Sequence, residues 1–200
     1  MKTDAYKGLR FLFRITLTLS FLLSINACKE DYIPKPKGNF RIGLPGTEYS
    51  TLKTDCPYSF DLNNEAKWVQ KEDCWADVLY PSIRANIQLT YKNIEDENHF
   101  YRIVKESQDL AYKHSVKADG IGERFYENQE KRLYGVMYQM EGNAATSSQF
   151  FVTDSAHHFL RGVLYFYCAP NADSLKPVNS YMQDEMVHLI ESLEWKNSLP

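Results

Sequence analysis

Lys131–Trp195, KRLYGVMYQMEGNAATSSQFFVTDSAHHFLRGVLYFYCAPNADSLKPVNSYMQDEMVHLIESLEW, decides how the rest of the chain folds. It opens with Leu133, Gly135 and Met137 alternating against Tyr134, Val136 and Tyr138, the two-face pattern of a strand. Glu141-Gly142-Asn143 then breaks the run, because Gly and Asn tolerate the left-handed backbone of a reversal. Gln149–Thr153 reads as a second strand, Asp154–His157 as another turn, and Phe159–Cys168 as a third, longer strand. Leu164, Tyr165, Phe166 and Tyr167 are apolar or aromatic on both faces, so this third strand is expected at the centre of a sheet covered on both sides. After Pro170 the period changes. Val178, Met182, Met186, Leu189, Ile190 and Leu193 recur at spacings of three and four, an apolar helical stripe. Ser174 is the expected N-cap, with Pro177 in the first turn, where its missing N–H has no helical partner to lose. The connections between the strands are too short for crossovers, so the strands are antiparallel and the helix lies on them.

Upstream, Ala85, Ile87, Leu89 and Tyr91 alternate with Asn86, Gln88 and Thr90, a strand with one buried and one wet face. From about Asp96 the period is helical, with Phe100, Ile103, Val104, Leu110 and Ala111 on one stripe and Gly120 expected to end the helix. Gly122–Glu127 reads as a further short strand, and Asn39–Leu44 as another, turned at Pro45-Gly46. Cys56 and Cys74 are flanked by the strand-like runs Pro57–Leu62 and Ala66–Gln70. In an oxidising compartment a Cys56–Cys74 disulfide is the natural reading, with two buried thiols as the alternative. Cys168 is then left over, expected as a small buried hydrophobe rather than a nucleophile. Strands, helix, strands, helix, without βαβ alternation, gives the α+β class: a mainly antiparallel sheet with helices packed on it.

The chain of 200 residues suits one domain after a leader. Residues 1–27 have the parts of an export signal: a basic region to Arg14, an apolar run Ile15–Ile25 too short to span a membrane, and small or polar residues before Cys28. Ile25-Asn26-Ala27-Cys28 resembles a bacterial lipobox, with Asn26 departing from its usual small residue, so Cys28 is the expected lipid attachment. The alternative is an ordinary secreted protein. Residues 28–38, charged and rich in Pro, form a flexible tether, and 39–200 a single domain. Lys29-Glu30-Asp31 resembles a signal that carries some lipoproteins to the cell surface. The formal charge is −3; without the leader, which holds four basic and one acidic side chain, 19 basic and 25 acidic side chains remain, or −6. A mildly acidic domain is a poor nucleic-acid binder.

The motifs that name a reaction are missing: there is no Gly-rich phosphate loop, GxSxG elbow, HExxH helix or CxxC pair. The nearest clusters are Asp154-Ser155-Ala156-His157-His158 and the polar turn Gly142–Ser148. Relay partners converge from separate elements, so local capping of a turn explains these residues better than catalysis. His157 and His158 point to opposite sides of an extended chain, and no further zinc ligands lie near. His114 and His188 read as helix residues. Arg161, on the face of Phe159 and Val163, is the one oddly placed charge, to be paired with a carboxylate or a partner. No catalytic residue, cofactor or metal is expected.

EGNAATSSQFFVTDSAHHFLRGVLYFYCAPNADSLKPV and HLIESLEW, with PKPKGNFRIGLP, CPYSF and LAYKHSVKAD upstream, resemble the gliding-motility lipoprotein GldD family of the Bacteroidetes. The resemblance implies a non-catalytic envelope lipoprotein required for gliding and for the type IX secretion apparatus coupled to it. It would be held by its N-terminal lipid, in the outer membrane on the periplasmic face or the cell surface, among other gliding and secretion proteins, without nucleic acid or small-molecule substrate. The order of helix, three antiparallel strands and a closing helix is similar to the PsbP and Mog1-like α/β/α sandwich, a likeness of fold alone. The other reading, from a different class, is a small-ligand binder or hydrolase with a pocket against the sheet.

Overall fold

His158–Phe166 lies at the middle of a seven-stranded sheet, and its central position follows from side chains that are apolar on both faces. The structure, a computed structural model, describes residues 14, 43–114, 118–142, 146–167 and 172–196. The chain divides into two units, Met1–Gly38 and Asn39–Pro200, and Arg14 is the only described residue of the first. The second contains β1 Tyr49–Thr51, β2 Tyr58–Ser59, β3 Asp61–Asn63, β4 Lys67–Gln70, β5 Ala76–Tyr80, β6 Ala85–Asn93, α1 Glu97–His114, β7 Ala118–Asn128, β8 Leu133–Gly142, β9 Ser148–Thr153, β10 His158–Phe166, α2 Ala172–Ser192 and β11 Glu194–Trp195.

The large sheet runs β4-β5-β6-β10-β9-β8-β7, every neighbouring pair antiparallel. Two small ribbons, β1-β3 and β11-β2, tie the first strands together and to the chain's last strand. Alternation along each strand divides the side chains between two cores. Leu133, Met137, Phe150, Val152, Leu160 and Leu164 meet Val178, Met182, Met186, Leu189, Ile190 and Leu193 of α2. Val136, Tyr138, Met140, Phe151 and Phe159 meet Ile103 and Ala111 of α1. The helices therefore cover opposite faces of an α+β sheet.

Two glycines let these layers close. A Cβ on Gly162 would strike the Phe150 ring, and one on Gly135 would strike the carbonyl oxygen of Phe151. Gly142 takes a left-handed φ of 86° at the end of β8, as the expected reversal requires.

Several boundaries differ from the sequence reading. Gly120 does not end a helix: α1 stops at His114, and Gly120 lies inside β7 beside a register shift between Ala118 and Gly120. The expected short strand Gly122–Glu127 is the middle of this eleven-residue strand. The α2 helix starts at Ala172, so Ser174 is inside it rather than capping it, and Pro177 falls beyond the first turn. The apolar stripe of α2 anchors the helix well enough to carry a proline whose N–H is missing from the ladder. The face of β6 opposite Ile87 is not wholly wet, since Asn86 is buried and donates to Tyr167 Oη. Gly43 and Leu44 are not in a strand, and residues 39–42 of that expected strand, with Cys28, Asn143 and Cys168, lie outside the described residues. Among the described residues no helix is long and apolar enough to cross a membrane.

Candidate functional site

The turn between β9 and β10 is built on one carboxylate. Asp154 Oδ1 accepts the backbone N–H groups of Ala156, His157 and His158 at 3.0, 2.8 and 2.8 Å. Burial pushes the Asp154 carboxyl up, but these three donors outweigh it and hold it below the usual carboxylate range. Ser155 takes a φ of 63°, and its N–H donates to Thr153 Oγ1. His157 is exposed, its Nδ1 3.8 Å from Asp154 Oδ2. His158 is buried: Nδ1 lies 2.7 Å from Tyr91 Oη, and its ring stacks on Trp195 with centroids 5.2 Å apart. Burial lowers the His158 pKa despite the neighbouring Asp154 charge, which favours the neutral ring. Tyr91 is pushed up to about 12, first by burial and then by Asp154. Asp154 orients backbone and Tyr91 orients His158, so Asp154, Ser155, His157 and His158 do not converge on one reacting position.

A second cluster was missed by the sequence reading. Glu185 is buried within the apolar stripe of α2, and its oxygens accept from Tyr49 Oη at 2.7 Å, Tyr80 Oη at 2.7 Å and Asn63 Nδ2 at 3.3 Å. Burial, and then Glu185 through its charge and hydrogen bonds, raise Tyr49, Tyr80 and Tyr181 above the ordinary tyrosine range. Tyr49 also stacks on His188 at 3.8 Å, and Asn63 Nδ2 donates to the Gly46 carbonyl at 2.7 Å. Tyr49 and Asn63 fasten residues 46–63 to α2 through this carboxylate, and Tyr80 fastens β5 to it. The available signal was position: Glu185 falls three residues after Met182 and four before Leu189, on the face that must be buried.

The third feature is open to solvent. Beside α1 the sheet carries an open groove of about 450 Å³. One wall is Phe100, Val104, Gln108 and Tyr112, spaced four apart on α1; the other is Glu123 and Phe125 on β7. Tyr138, Val136 and Phe151 form the floor, and Ser155 borders the cavity. Tyr112 Oη donates to Glu123 Oε1, joining the walls at one place. Phe125, 76 % exposed, is the most exposed large apolar side chain among the described residues.

Arg161 finds an amide rather than a carboxylate: its Nη2 donates to Gln149 Oε1 at 2.6 Å. Cys56 and Cys74 are joined by a disulfide with Cα atoms 5.5 Å apart. His114 ends α1. Among the described residues no group of three or more His, Cys, Asp or Glu side chains is placed to hold a metal ion.

A comparison with curated proteins finds no match. The family model described as gliding motility lipoprotein GldD matches residues 29–195. The match runs from the residue after Cys28 to Trp195 and takes in the disulfide, the Glu185 cluster, the Asp154 turn and the groove; over so much of its length, the chain belongs to the gliding motility lipoprotein GldD family.

Proposed function

We propose that this protein is a lipid-anchored, non-catalytic component of the gliding machinery that also supports type IX secretion. The observation that carries the reading is the family match over residues 29–195. The geometry supports it, because the polar side chains nearest to a catalytic set are engaged in holding structure: Asp154 by three backbone donors, His158 by Tyr91 and Trp195. In this reading residues 1–27 are removed on export, Cys28 receives the lipid, residues 28–38 tether the domain 39–200, and the anchor lies in the outer membrane. A lipid adds about 0.8 kcal/mol of membrane affinity per buried methylene. Deleting the gene and restoring it tests the proposal. Colony spreading and the export of type IX cargo should both fail in the deletion strain and both return. Loss of spreading with normal export would separate the protein from secretion. Normal spreading would remove it from motility.

A further inference from the structure

The groove and the strand beside it form one surface. Among the described residues β7 is an edge of the large sheet, with no strand on its outer side. The other edge, β4, has four residues, whereas β7 has eleven. Short length blunts an edge against pairing, and a long edge offers a row of free N–H and C=O groups. Ile121 packs toward the α1 core, and Glu123 and Phe125 line the groove. The alternate residues turn to the other face, where Arg124 meets Glu191 of α2 at 3.3 Å. The α1 wall from Phe100 to Tyr112 spans roughly 18 Å at about 1.5 Å per residue. Five or six residues of extended chain, at about 3.3 Å each, have that length.

We propose that β7 accepts an extended peptide segment of a partner protein as an added antiparallel strand. Alternate side chains of that segment would face the groove: an aromatic or β-branched residue opposite Phe125, and basic residues opposite Glu123 and Glu127. Main-chain hydrogen bonds to the edge supply affinity, and the cross-strand pairs on one face supply specificity. Charge disfavours a second copy of this chain in the self-pairings centred on the middle of β7 and favours a basic partner segment. Pairing β7 with itself antiparallel sets Glu123 against Glu123, Arg124 against Arg124, or Glu123 against Glu127 in the registers centred on Glu123, Arg124 and Phe125. Each places like charges opposite one another. The inference stands apart from the motility reading, because it rests on the sheet edge and the groove and is tested on the purified chain.

The probe is a fluorescein-labelled octapeptide in which threonine alternates with lysine, phenylalanine, lysine and valine, in that order, to face Glu127, Phe125, Glu123 and Ile121. Fluorescence anisotropy with the purified full chain in detergent should show saturable binding. Phe125→Asp should weaken it at least tenfold while circular dichroism stays unchanged, since the Phe125 side chain is outside both cores. Glu123→Lys should weaken it similarly and favour a peptide carrying glutamate in place of the lysine opposite. N-methylation of alternate peptide nitrogens gives the sign of strand addition: one alternate set should abolish binding and the other leave it within twofold. No saturable binding, or equal effects of the two methylated sets, would overturn the proposal. So would a chain that dimerises on concentration and loses the peptide as it does, which would make a second copy the occupant.

Discussion

Tyr80 Oη donates to Glu185 Oε2 at 2.7 Å in the interior between β5 and α2. Tyr49 and Asn63 share the other oxygen; removing the carboxylate takes the acceptor from the Tyr49 and Tyr80 hydroxyls, while Asn63 Nδ2 keeps the Gly46 carbonyl and Tyr181 Oη. Glu185→Ala should destabilise the protein by roughly 3 kcal/mol or more, through unpaired buried donors and a cavity. Glu185→Gln keeps the shape and should lose about 1 kcal/mol. Urea unfolding followed by fluorescence checks both, and equal stability of Glu185→Ala and the wild type would show that the cluster holds nothing in place.

The two close-packed glycines separate by what they meet. Gly135→Ala forces a methyl against the backbone of Phe151, whereas Gly162→Ala forces one against the Phe150 side chain. Overpacking typically costs about 1–3 kcal/mol, and a ring yields more readily than a strand backbone. Gly135→Ala should therefore lower the urea midpoint more than Gly162→Ala.

Acid should loosen the β9–β10 turn in two stages. The His158 pKa is lowered in the folded protein from 6.5, so the unfolded chain binds the proton first. Its contribution is complete above about pH 6.5 and falls as the pH drops through that value toward the folded pKa. Asp154 is also lowered, from 3.8, so its contribution is present above about pH 4 and is lost as the pH falls further. The melting temperature should decline between pH 7 and 5, and His158→Gln should flatten that part of the profile. An unchanged slope in this variant would place the pH dependence elsewhere.

Six of the seven strands of the large sheet, in whole or in part, and both helices were legible because their signals are periodic, whereas β5, Ala76–Tyr80, was not read as a strand. Ala85–Tyr91 alternates, the Val178–Leu193 stripe repeats every three or four residues, and the doubly apolar run at Leu164–Tyr167 identifies the central strand. Boundaries were less legible where one residue type serves two uses. Gly120 fits a helix end as well as the register shift it occupies in β7, and Ser174 fits a cap as well as a first turn. Asp154 was readable because a turn carboxylate bonds the N–H groups that follow it, within four residues. The Glu185 cluster was not, because Tyr49, Asn63 and Tyr80 come from three strands over 100 residues away in sequence. The groove was equally hidden, since it depends on where α1 lies across the sheet rather than on any local pattern.

The Cys56–Cys74 bond closes a loop whose ends are 18 residues apart. Protein isolated without reductant and then denatured should leave both thiols unreactive toward maleimide, with Cys168 labelled. Reduction should lower stability by about 3 kcal/mol. Labelling of Cys56 and Cys74 without reductant would show that packing alone holds this segment.

Colony spreading by strains carrying Cys28→Ser or His157→Ala, at verified equal protein abundance, tests most directly whether the domain works through its anchor rather than through chemistry. Cys28→Ser should leave the chain unlipidated and abolish spreading. His157→Ala changes an exposed side chain and should spread like the wild type. Normal spreading by a soluble Cys28→Ser protein, or its loss in a stable and correctly localised His157→Ala protein, would contradict a lipid-anchored, non-catalytic role.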